Sequence, residues 1–340
     1  MWVSPWRAFL LCVMALLCAV LAGCGTSPPA PHTPQAPASP ASSGPSAQNL
    51  PPGAVAQTAA DGRGAIRPLP EPTGCTASAT DADSADEALA ESKAGDKICI
   101  TGDLGDYKVK VENPGTPQAP LQVVGDGQTK VNGIDVETDN VVVDGFTVLD
   151  ASSPEIQLRG NNITLRNSVA KRPTDDDRDN LHFFGDNIKI LHNTFGGGRN
   201  IDGAHADCMQ TFTTLGNKPN SHHVLIDSNR CEDSDNTCLI AEGPFSLAGD
   251  GSKEGDSSDF TFNNNYCYVH ASEALQIDDI QNVTITGNTI EKVDHAFALQ
   301  NKSTGAKIAG NTIAPGTGYE VGMDSSSRPG YQGPPIGGEP

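Results

Sequence analysis

The sequence predicts an all-β solenoid, in which the chain coils repeatedly through short strands. The first observation is an asparagine that recurs after alternating apolar stretches: Asn167, Asn193, Asn229, Asn265, Asn288 and Asn311. The second is their spacing, because the shortest interval is 23 residues and the longer intervals fit the same repeat with insertions. Asparagine tolerates the left-handed backbone conformation, and Gly145, 22 residues before the first asparagine, adopts it freely. We therefore expect one sharp corner in every coil.

The individual elements follow from short β-rich runs that are bounded by Gly, Asn or Asp. A helix over residues 81–93 is expected to cover the open first coil, since an exposed strand edge invites association. The first strand follows at residues 98–101. Pairs of strands then recur, for example residues 156–159 with 163–166, 181–184 with 188–191, and 275–278 with 283–286.

Two or three short strands per repeat and a column of asparagine corners resemble the single-stranded right-handed parallel β-helix of the pectate-lyase-like superfamily. The resemblance covers roughly residues 98–315 and implies seven to eight coils. It also implies action on a polysaccharide, by a polysaccharide lyase or a glycoside hydrolase. The sequence lacks three signatures of particular activities in this superfamily: paired aspartates with Gly-His-Gly, an Asp-Pro-His-Glu type motif, and Arg-x-Pro-x-x-Arg.

The N-terminus has the features of a secretory signal. Arg7 precedes an apolar run over residues 9–21, and small residues follow before Cys24. The run Leu-Ala-Gly-Cys resembles the bacterial lipobox. That resemblance implies that residues 1–23 are removed as a lipoprotein signal peptide and that Cys24 carries the lipid. The mature protein would then be extracytoplasmic and anchored to the bacterial cell membrane.

Composition divides the rest of the chain into three parts. Residues 24–72 are rich in Pro, Ala, Ser and Gly and cannot bury enough surface to fold, so we expect a flexible tether. Residues 73–315 form the predicted β-helix domain, and the Gly- and Pro-rich residues 316–340 are expected to be a loose tail. The formal charge of −20 disfavours nucleic acid as a partner. We expect a monomer that contacts the membrane through its lipid alone.

Six cysteines remain after the signal peptide and the lipidated residue, which suggests disulfides in an exported chain. Six cysteines allow 15 pairings, and the repeat favours one of them. One cysteine column follows the asparagines of two successive coils by two residues, and another opens the next strand in two successive coils. Stacked coils lie about 4.8 Å apart, within the reach of a disulfide. The predicted pairs are Cys208–Cys238, Cys231–Cys267 and, by elimination, Cys75–Cys99.

Four long insertions flank one column of strands. Loops on a rigid scaffold are where functional sites usually lie, so the insertions predict the walls of a trough. We expect His182, Met209 and Leu239 to form its floor. The insertions span residues 169–180, 196–207, 213–223 and 243–259.

His205 and Asp207 form the predicted catalytic pair. The two residues have the same parity just before a strand, so both can project toward one face. A histidine beside a carboxylate can act as a general base or bind a metal. The alternative is a hydrogen bond between them that braces a long loop. His182 and Gln210 are expected to contact substrate, although a regular strand would turn Gln210 inward.

Two groups of charged residues complete the predicted site. An acidic run offers oxygens that suit Ca²⁺, with a solvated surface as the alternative. Its members are Asp175, Asp176, Asp177 and Asp179. Basic residues of the neighbouring insertions are expected to bind acidic sugar groups, with surface salt bridges as the alternative. These are Lys171, Arg172, Arg178 and Arg199. The resemblance implies that a uronate lyase would use Lys or Arg as its base and Ca²⁺ or Arg to neutralise the sugar carboxylate.

The leading hypothesis is an exported, lipid-anchored protein that acts on an extracellular or cell-wall polysaccharide, possibly as a uronate lyase. The alternative is a non-catalytic surface protein that binds glycan or forms a rigid rod. Acid–base groups in one trough favour an enzyme, whereas an aromatic content of 5% counts against stacking on sugars. Apart from Ca²⁺, no cofactor is expected.

Overall fold

The computed structural model describes residues 61–248 and 251–340. The predicted signal peptide over residues 1–23, the predicted lipid site Cys24 and most of the predicted tether lie outside these ranges. Within the described ranges, no helix is long and apolar enough to cross a membrane.

The described chain is a parallel β-solenoid of about ten turns, with one short helix, α1 (Ala82–Ala90), near its start. The strands in chain order are β1 (Ala77–Ala79), β2 (Lys97–Ile100), β3 (Val109–Val111), β4 (Leu121–Val131), β5 (Ile134–Val136), β6 (Val141–Leu149), β7 (Ile156–Arg159), β8 (Ile163–Arg166), β9 (Val169–Lys171), β10 (Leu181–Phe184), β11 (Lys189–Leu191), β12 (Thr194–Gly196), β13 (Met209–Thr211), β14 (Leu225–Asp227), β15 (Arg230–Ser234), β16 (Leu239–Glu242), β17 (Ser257–Ser258), β18 (Thr261–Asn263), β19 (Tyr266–Val269), β20 (Glu273–Asp278), β21 (Ile280–Gln281), β22 (Thr284–Thr286), β23 (Thr289–Ile290), β24 (His295–Gln300), β25 (Lys307–Ala309), β26 (Thr312–Ile313), β27 (Tyr319–Met323) and β28 (Ile336–Gly338).

Equivalent strands of successive coils pair in parallel and form two large sheets. One sheet has ten strands, in the order β28-β27-β24-β20-β16-β13-β10-β7-β5-β3. One strand per coil gives about ten turns, against the seven to eight expected. The other sheet has 16 strands and covers two faces of the solenoid. The two faces join at β6, whose first half pairs with β8 and whose second half pairs with β9.

The interior is filled by apolar side chains from alternate strand positions. Leu181 of β10 is the register partner of Ile156 in β7 and of Met209 in β13, and all three side chains are buried. Burial of each such side chain contributes about 1.5–3 kcal/mol. The same alternation decides which residues of each strand face outward and can belong to a site.

The predicted asparagine ladder is present. Within it, the side-chain oxygen of each asparagine accepts hydrogen bonds from the backbone and the side-chain amide of the asparagine one coil earlier. Asn193, for example, donates its backbone N–H and its Nδ2 to Asn229 Oδ1, at 2.8 and 3.0 Å. The remaining rungs repeat this pattern: Asn229 to Asn265, Asn265 to Asn288, and Asn288 to Asn311.

Two details of the predicted corner are wrong. Asn167 is not a rung, because Ser168 occupies that position and donates its backbone N–H to Asn193 Oδ1 at 2.9 Å. The left-handed residue is the one before each rung, as in Asn167 (φ 49°), Ser228 (φ 56°) and Gly145 (φ 81°). The corner therefore uses two adjacent positions: the first makes the turn, and the second bonds to the next coil.

The predicted helical cap is present and shorter than expected. α1 begins after Asp81, whose carboxylate accepts a hydrogen bond from the Ser84 backbone N–H at 2.9 Å. This N-cap satisfies one of the amides that a helix leaves unpaired at its start. The helix buries Ala85 and Leu89 and packs against β1, β2 and β3, so it covers the first coils of the core.

The C-terminal segment belongs to the solenoid, so the prediction of a loose tail over residues 316–340 is wrong. β27 pairs in parallel with β24, and β28 pairs with β27. Val321 and Met323 are fully buried. The preceding coil offers an open strand edge, and alternate apolar residues are sufficient to extend it despite the many glycines and prolines nearby.

The described end of the predicted tether, residues 61–72, is bound to the outside of the solenoid. The backbone N–H of Gly64 donates to the Ser228 carbonyl at 2.8 Å. The Arg67 guanidinium donates to the Asn167 carbonyl at 2.5 Å. These contacts lie in different coils, so the segment runs along the solenoid.

Three disulfides form among the described residues, and one of them matches the prediction. Cys75 pairs with Cys99, with Cα atoms 5.7 Å apart. The predicted pairs Cys208–Cys238 and Cys231–Cys267 are wrong. The bonds found are Cys208–Cys231 and Cys238–Cys267, each with a Cα separation of 5.9 Å.

The prediction joined cysteines of successive coils, whereas the two disulfides found each join cysteines of the same coil. Cys231 and Cys267 are register partners in adjacent parallel strands, as their column predicted. Side chains at such positions project in the same direction, so their sulfurs do not converge. Cys208 and Cys231, in contrast, belong to the same coil, where the chain returns on itself and directs the two side chains toward each other.

Candidate functional site

The long insertions stand on both sides of the ten-stranded sheet, as predicted. The first two insertions lie side by side, because the Asn180 backbone N–H donates to the Asp207 carbonyl at 3.0 Å. The last two also touch, because Asn220 Nδ2 donates to the Glu254 carbonyl at 3.1 Å. A groove is left between the two walls.

The floor of this groove consists of outward-facing side chains of the sheet. Gln157 of β7 is the register partner of His182 in β10, which in turn pairs with Gln210 of β13. We call this depression, of about 500 Å³, the His182 groove. Its other polar and aromatic lining residues are Ser153, Asp176, Asp177, Phe212, Lys218 and Glu242.

The predicted floor was correct for His182 and wrong for its two companions. Met209 and Leu239 are 0% and 1% exposed and belong to the core. Gln210, which was expected to point inward, lines the groove beside His182. The predicted register placed His182 beside Met209, whereas its partner is Gln210, one residue later. A shift of one residue exchanges the two faces of a strand.

A buried carboxylate holds His182 in place. The imidazole Nε2 lies 2.8 Å from Asp179 Oδ2, and Asp179 is fully buried while His182 is 9% exposed. Because a carboxylate accepts hydrogen bonds, we assign the ring hydrogen to Nε2 and the lone pair to Nδ1. The ring also packs edge-on against Phe212, with centroids 5.6 Å apart. An oriented neutral imidazole of this kind can accept a proton.

Asp179 is held in turn by the backbone of Asp207, whose side chain is a second buried carboxylate. The backbone N–H of Asp207 donates to Asp179 Oδ1 at 2.7 Å. The Asp207 carboxylate accepts from the Thr237 backbone N–H at 2.8 Å and from Asn236 Nδ2 at 3.1 Å. Burial, and then the negative charge of Asp179, raise the pKa of Asp207 well above its usual range. Two neighbouring buried carboxylates resist joint ionisation, so the contact with Asp179 favours the protonated form of Asp207.

The structure separates the side chains of the predicted pair His205 and Asp207. His205 is exposed, whereas Asp207 is 1% exposed, so the prediction that both project toward one face is wrong. No hydrogen bond joins the two side chains within the described part of the chain. In the His182 groove, the carboxylate that bonds to a histidine is Asp179, and the histidine is His182.

The sequence contained a weak signal for this pair. Asp179 stands three residues before His182, at the entry to β10. The sequence predicts a metal site for Asp179 and substrate contact for His182. Whether two such side chains meet depends on the backbone turn between the insertion and the strand, which periodicity does not define.

The opposite wall brings a cation into the same groove. Lys218 Nζ lies 3.8 Å from the centre of the Phe212 ring, which is half-buried. Glu242, at the end of β16, adds a carboxylate to the lining. The His182 groove thus combines a histidine, a lysine and carboxylates around a partly exposed aromatic ring.

The four aspartates predicted to bind Ca²⁺ do not form a single cluster. Asp176 and Asp177 line the His182 groove, whereas Asp179 bonds to His182. Asp175 accepts a hydrogen bond from Ser152 Oγ at 3.0 Å. Among the residues that the structure describes, no three or more His, Cys, Asp or Glu side chains are arranged to hold a metal ion. Asp176 and Asp177 still offer oxygens that suit a hard cation, so Ca²⁺ stays a prediction.

The four predicted basic residues line a different depression, which we call the Arg178 pocket. The insertion over residues 169–180 contributes to both depressions, with Asp176 and Asp177 on one and Arg178 on the other. The charged residues of the Arg178 pocket are Lys171, Arg172, Arg178, Arg199, Asp150, Glu232 and Asp233.

Glu155 is a buried acid that the sequence did not single out. It is 0% exposed, and its Oε2 accepts from Asn180 Nδ2 at 2.8 Å. Glu155 Oε1 and Asn180 Oδ1 are both buried and lack a hydrogen-bond partner among the described residues. Burial raises the pKa of Glu155 to about 8. A proton on Glu155 Oε1 would supply the donor that these two oxygens lack.

A family model described as the right handed beta helix region matches residues 132–326, more than half of the chain. The chain belongs to this right-handed β-helix family. The match agrees with the stacked parallel coils and confirms the fold class that the repeat predicted. No curated protein matches the sequence of this β-helix.

Solved structures share the fold of this β-helix. Pectate lyase Pel9A has a TM-score of 0.56 and 11% sequence identity, over 78% of this chain and 80% of that one. A PL6 alginate lyase in complex with a trisaccharide has a TM-score of 0.51 and 16% identity, over 75% of this chain and 60% of that one. An alginate lyase from Paenibacillus sp. str. FPU-7 has a TM-score of 0.47 and 15% identity, over 78% and 100%. The structural similarity to the first two shows a pectate-lyase-like fold and leaves activity to the site.

Proposed function

We propose that this β-helix cleaves an acidic extracellular polysaccharide by β-elimination, with His182 as the general base. The observation that carries the proposal is the 2.8 Å contact between His182 Nε2 and the buried Asp179 carboxylate at the floor of an open groove. Structural neighbours that are polysaccharide lyases support a polysaccharide as the substrate class. A single oriented base suits proton abstraction, whereas hydrolysis commonly uses two carboxylates at a defined separation.

The proposed reaction begins with His182 Nδ1, which takes the C5 proton of a uronate residue. The electrons of the C5–H bond form a double bond between C4 and C5, and the bond from C4 to the glycosidic oxygen breaks. The leaving oxygen takes a proton from the imidazolium or from water. Asp179 stabilises the imidazolium that forms, as a buried carboxylate does when it bonds to the other ring nitrogen.

Lys218 is the proposed partner of the sugar carboxylate. A cation beside that carboxylate makes the C5 proton easier to remove, because it stabilises the charge that develops on abstraction. Asp176, Asp177 and Glu242 line the same groove and oppose the approach of an acidic sugar. This opposition is the physical reason to assay the protein both with and without Ca²⁺.

Replacement of His182 by glutamine is expected to slow cleavage by about 100-fold or more, since the variant lacks the base. Glutamine keeps an N–H donor for Asp179, so the melting temperature should change little. The assay incubates a panel of uronic-acid polysaccharides with the protein, with and without Ca²⁺. It follows both the ultraviolet absorbance of unsaturated ends and the release of reducing ends.

His205→Gln is the matched control, because His205 is exposed and lies outside the lining of the His182 groove. Its activity should equal that of the unmodified protein. Release of reducing ends without unsaturated products would show that the protein cleaves by hydrolysis and not by elimination. Binding of polysaccharide without either product would favour the non-catalytic glycan-binding function.

We infer that the protein is exported and is lipid-anchored through Cys24. The signal-like N-terminus supports this inference, as do three disulfides, which persist in oxidising compartments. Cells that express the protein and are fed labelled palmitate should incorporate the label into it, and Cys24→Ser should abolish incorporation. Equal labelling of the Cys24→Ser variant would exclude Cys24 as the lipid site.

A further inference from the structure

The Arg178 pocket differs in charge from the chain that contains it. Four basic side chains and three carboxylates line the pocket, which gives it a small positive excess. The whole chain carries a formal charge of −20. The pocket has a volume of about 610 Å³, which is in the range of small-molecule sites.

Three of the four basic side chains are neutralised by ion pairs. Lys171 Nζ lies 2.8 Å from Glu232 Oε2. The Arg172 guanidinium bonds to both carboxylate oxygens of Asp150, at 2.7 and 2.6 Å. Arg199 pairs with Asp233. These pairs fix the walls of the pocket and leave little net charge on them.

Arg178 provides the positive excess. Its guanidinium makes no hydrogen bond or ion pair with any residue in the described ranges, although it is only half-exposed. The backbone of Arg178 has a φ of 62°, and the backbone of Asp175, three residues earlier, has a φ of 59°. The two residues belong to one tight turn, in which the Arg178 backbone N–H donates to the Asp175 carbonyl at 3.1 Å.

A glycine lies between two of the lining residues, and an exposed aromatic residue follows them in the next coil. Gly196 lies in register between Lys171 and Glu232, and a Cβ on it would approach the Glu232 carbonyl oxygen to 1.8 Å. Without a side chain at Gly196, Lys171 can reach Glu232 across two coils. Tyr268 is the next residue of the same column and is 40% exposed, so a flat apolar surface adjoins the charged pocket.

We propose that the Arg178 pocket is a second carbohydrate-binding site, which binds the carboxylate of an acidic sugar. A guanidinium presents paired donors that match a carboxylate in bidentate geometry. An exposed tyrosine can contact the face of a sugar ring. The site shares its substrate class with the proposed function but does not require cleavage, because the base in the His182 groove is a separate group.

The overall negative charge does not prevent this binding. Charges that are separated by more than about 8 Å are largely screened at physiological ionic strength. The lining of the pocket holds four cations and three carboxylates, and a sugar carboxylate in contact with Arg178 interacts with these groups more strongly than with acidic residues beyond the lining. Binding should consequently weaken as salt is added.

The experiment measures the affinity of the purified full-length protein for tetragalacturonate by calorimetry, in the His182→Gln background so that the probe is not consumed. Arg178→Gln should weaken binding about tenfold or more, because it removes the unpaired charge. Asp150→Asn should strengthen binding severalfold, because it releases Arg172 from its ion pair. A neutral glucose tetramer should bind weakly to all variants.

Arg166→Gln is the matched control, since Arg166 is an exposed arginine that pairs with Asp144 outside the pocket. It should bind tetragalacturonate as the background protein does. Unchanged affinity in Arg178→Gln would overturn the second site, as would an equal loss in Arg166→Gln. These results are independent of whether His182 catalyses cleavage, because the assay records binding alone.

Discussion

Replacement of Asn229 by alanine is expected to lower the free energy of unfolding by about 3 kcal/mol or more. Asn229 Oδ1 accepts from the backbone and the side chain of Asn193, and its Nδ2 donates to the Ile190 carbonyl at 2.7 Å and to Asn265 Oδ1 at 3.1 Å. Alanine would remove every one of these bonds. Each buried group that loses its partner costs about 1–3 kcal/mol.

Chemical denaturation of the purified protein measures this effect. Asn311→Ala should cost less, because the last rung is half-buried and its Nδ2 donates to the Ile285 carbonyl and has no following asparagine to bond. Asn217→Ala, in an exposed loop, should stay within about 0.5 kcal/mol of the unmodified protein. Equal losses at Asn229 and Asn217 would show that the ladder contributes no stability beyond that of a surface amide.

Replacement of Glu155 by glutamine is expected to stabilise the protein above pH 8 and to leave it nearly unchanged at pH 5. The folded pKa of Glu155 is raised to about 8, from an ordinary value of 4.5. The stability that its proton provides is therefore complete below about pH 4.5 and is lost as the pH rises through 8. The loss is on the order of 5 kcal/mol, because the pKa rises by about 3.5 units and one unit corresponds to about 1.4 kcal/mol.

Glutamine mimics the protonated acid. Its amide can donate to Asn180 Oδ1 and accept from Asn180 Nδ2, which satisfies both oxygens that now lack partners. The measurement compares the free energy of unfolding of Glu155→Gln and the unmodified protein between pH 5 and pH 9. Other buried acids such as Asp207 titrate in both proteins, so the difference between the two curves isolates Glu155.

Glu87→Gln is the control, since Glu87 is exposed on α1. Its stability should follow that of the unmodified protein at every pH. Parallel curves for Glu155→Gln and the unmodified protein would mean that Glu155 has no raised pKa in the folded state.

The candidate site was predictable in its location and not in its chemistry. The lengths of the four insertions placed a groove beside the strands that carry His182, and the structure confirms it. The histidine chosen from the sequence was His205, because it lies two residues from Asp207. The structure turns these two side chains apart and joins His182 to Asp179. Neighbours in sequence were therefore a poor guide to neighbours in the groove.

The sequence also did not predict which charged residues lie in the same depression. The basic residues Lys171, Arg172, Arg178 and Arg199 were predicted to share one site with His182. They do lie together, but they line the Arg178 pocket and not the His182 groove. Insertion length predicts that a loop protrudes. It does not predict which of the loop's side chains turns to which side, because that depends on the backbone angles at Asp175 and Arg178.

The sequence by itself determined the repeat, the asparagine ladder, the helical cap and the Cys75–Cys99 bond. The repeat and the ladder follow from the period of the chain, because stacked coils must place residues of equal phase above one another. The cap follows from the open edge of the first coil, and the Cys75–Cys99 bond follows by elimination. The tertiary structure decided the strand register beside His182, the two disulfides across single coils, and the final strands β27 and β28. Those features depend on how each coil closes on itself and on the edge that the preceding coil exposes. A shift of one residue in a strand exchanges buried and exposed faces, and the repeat length alone does not fix that shift.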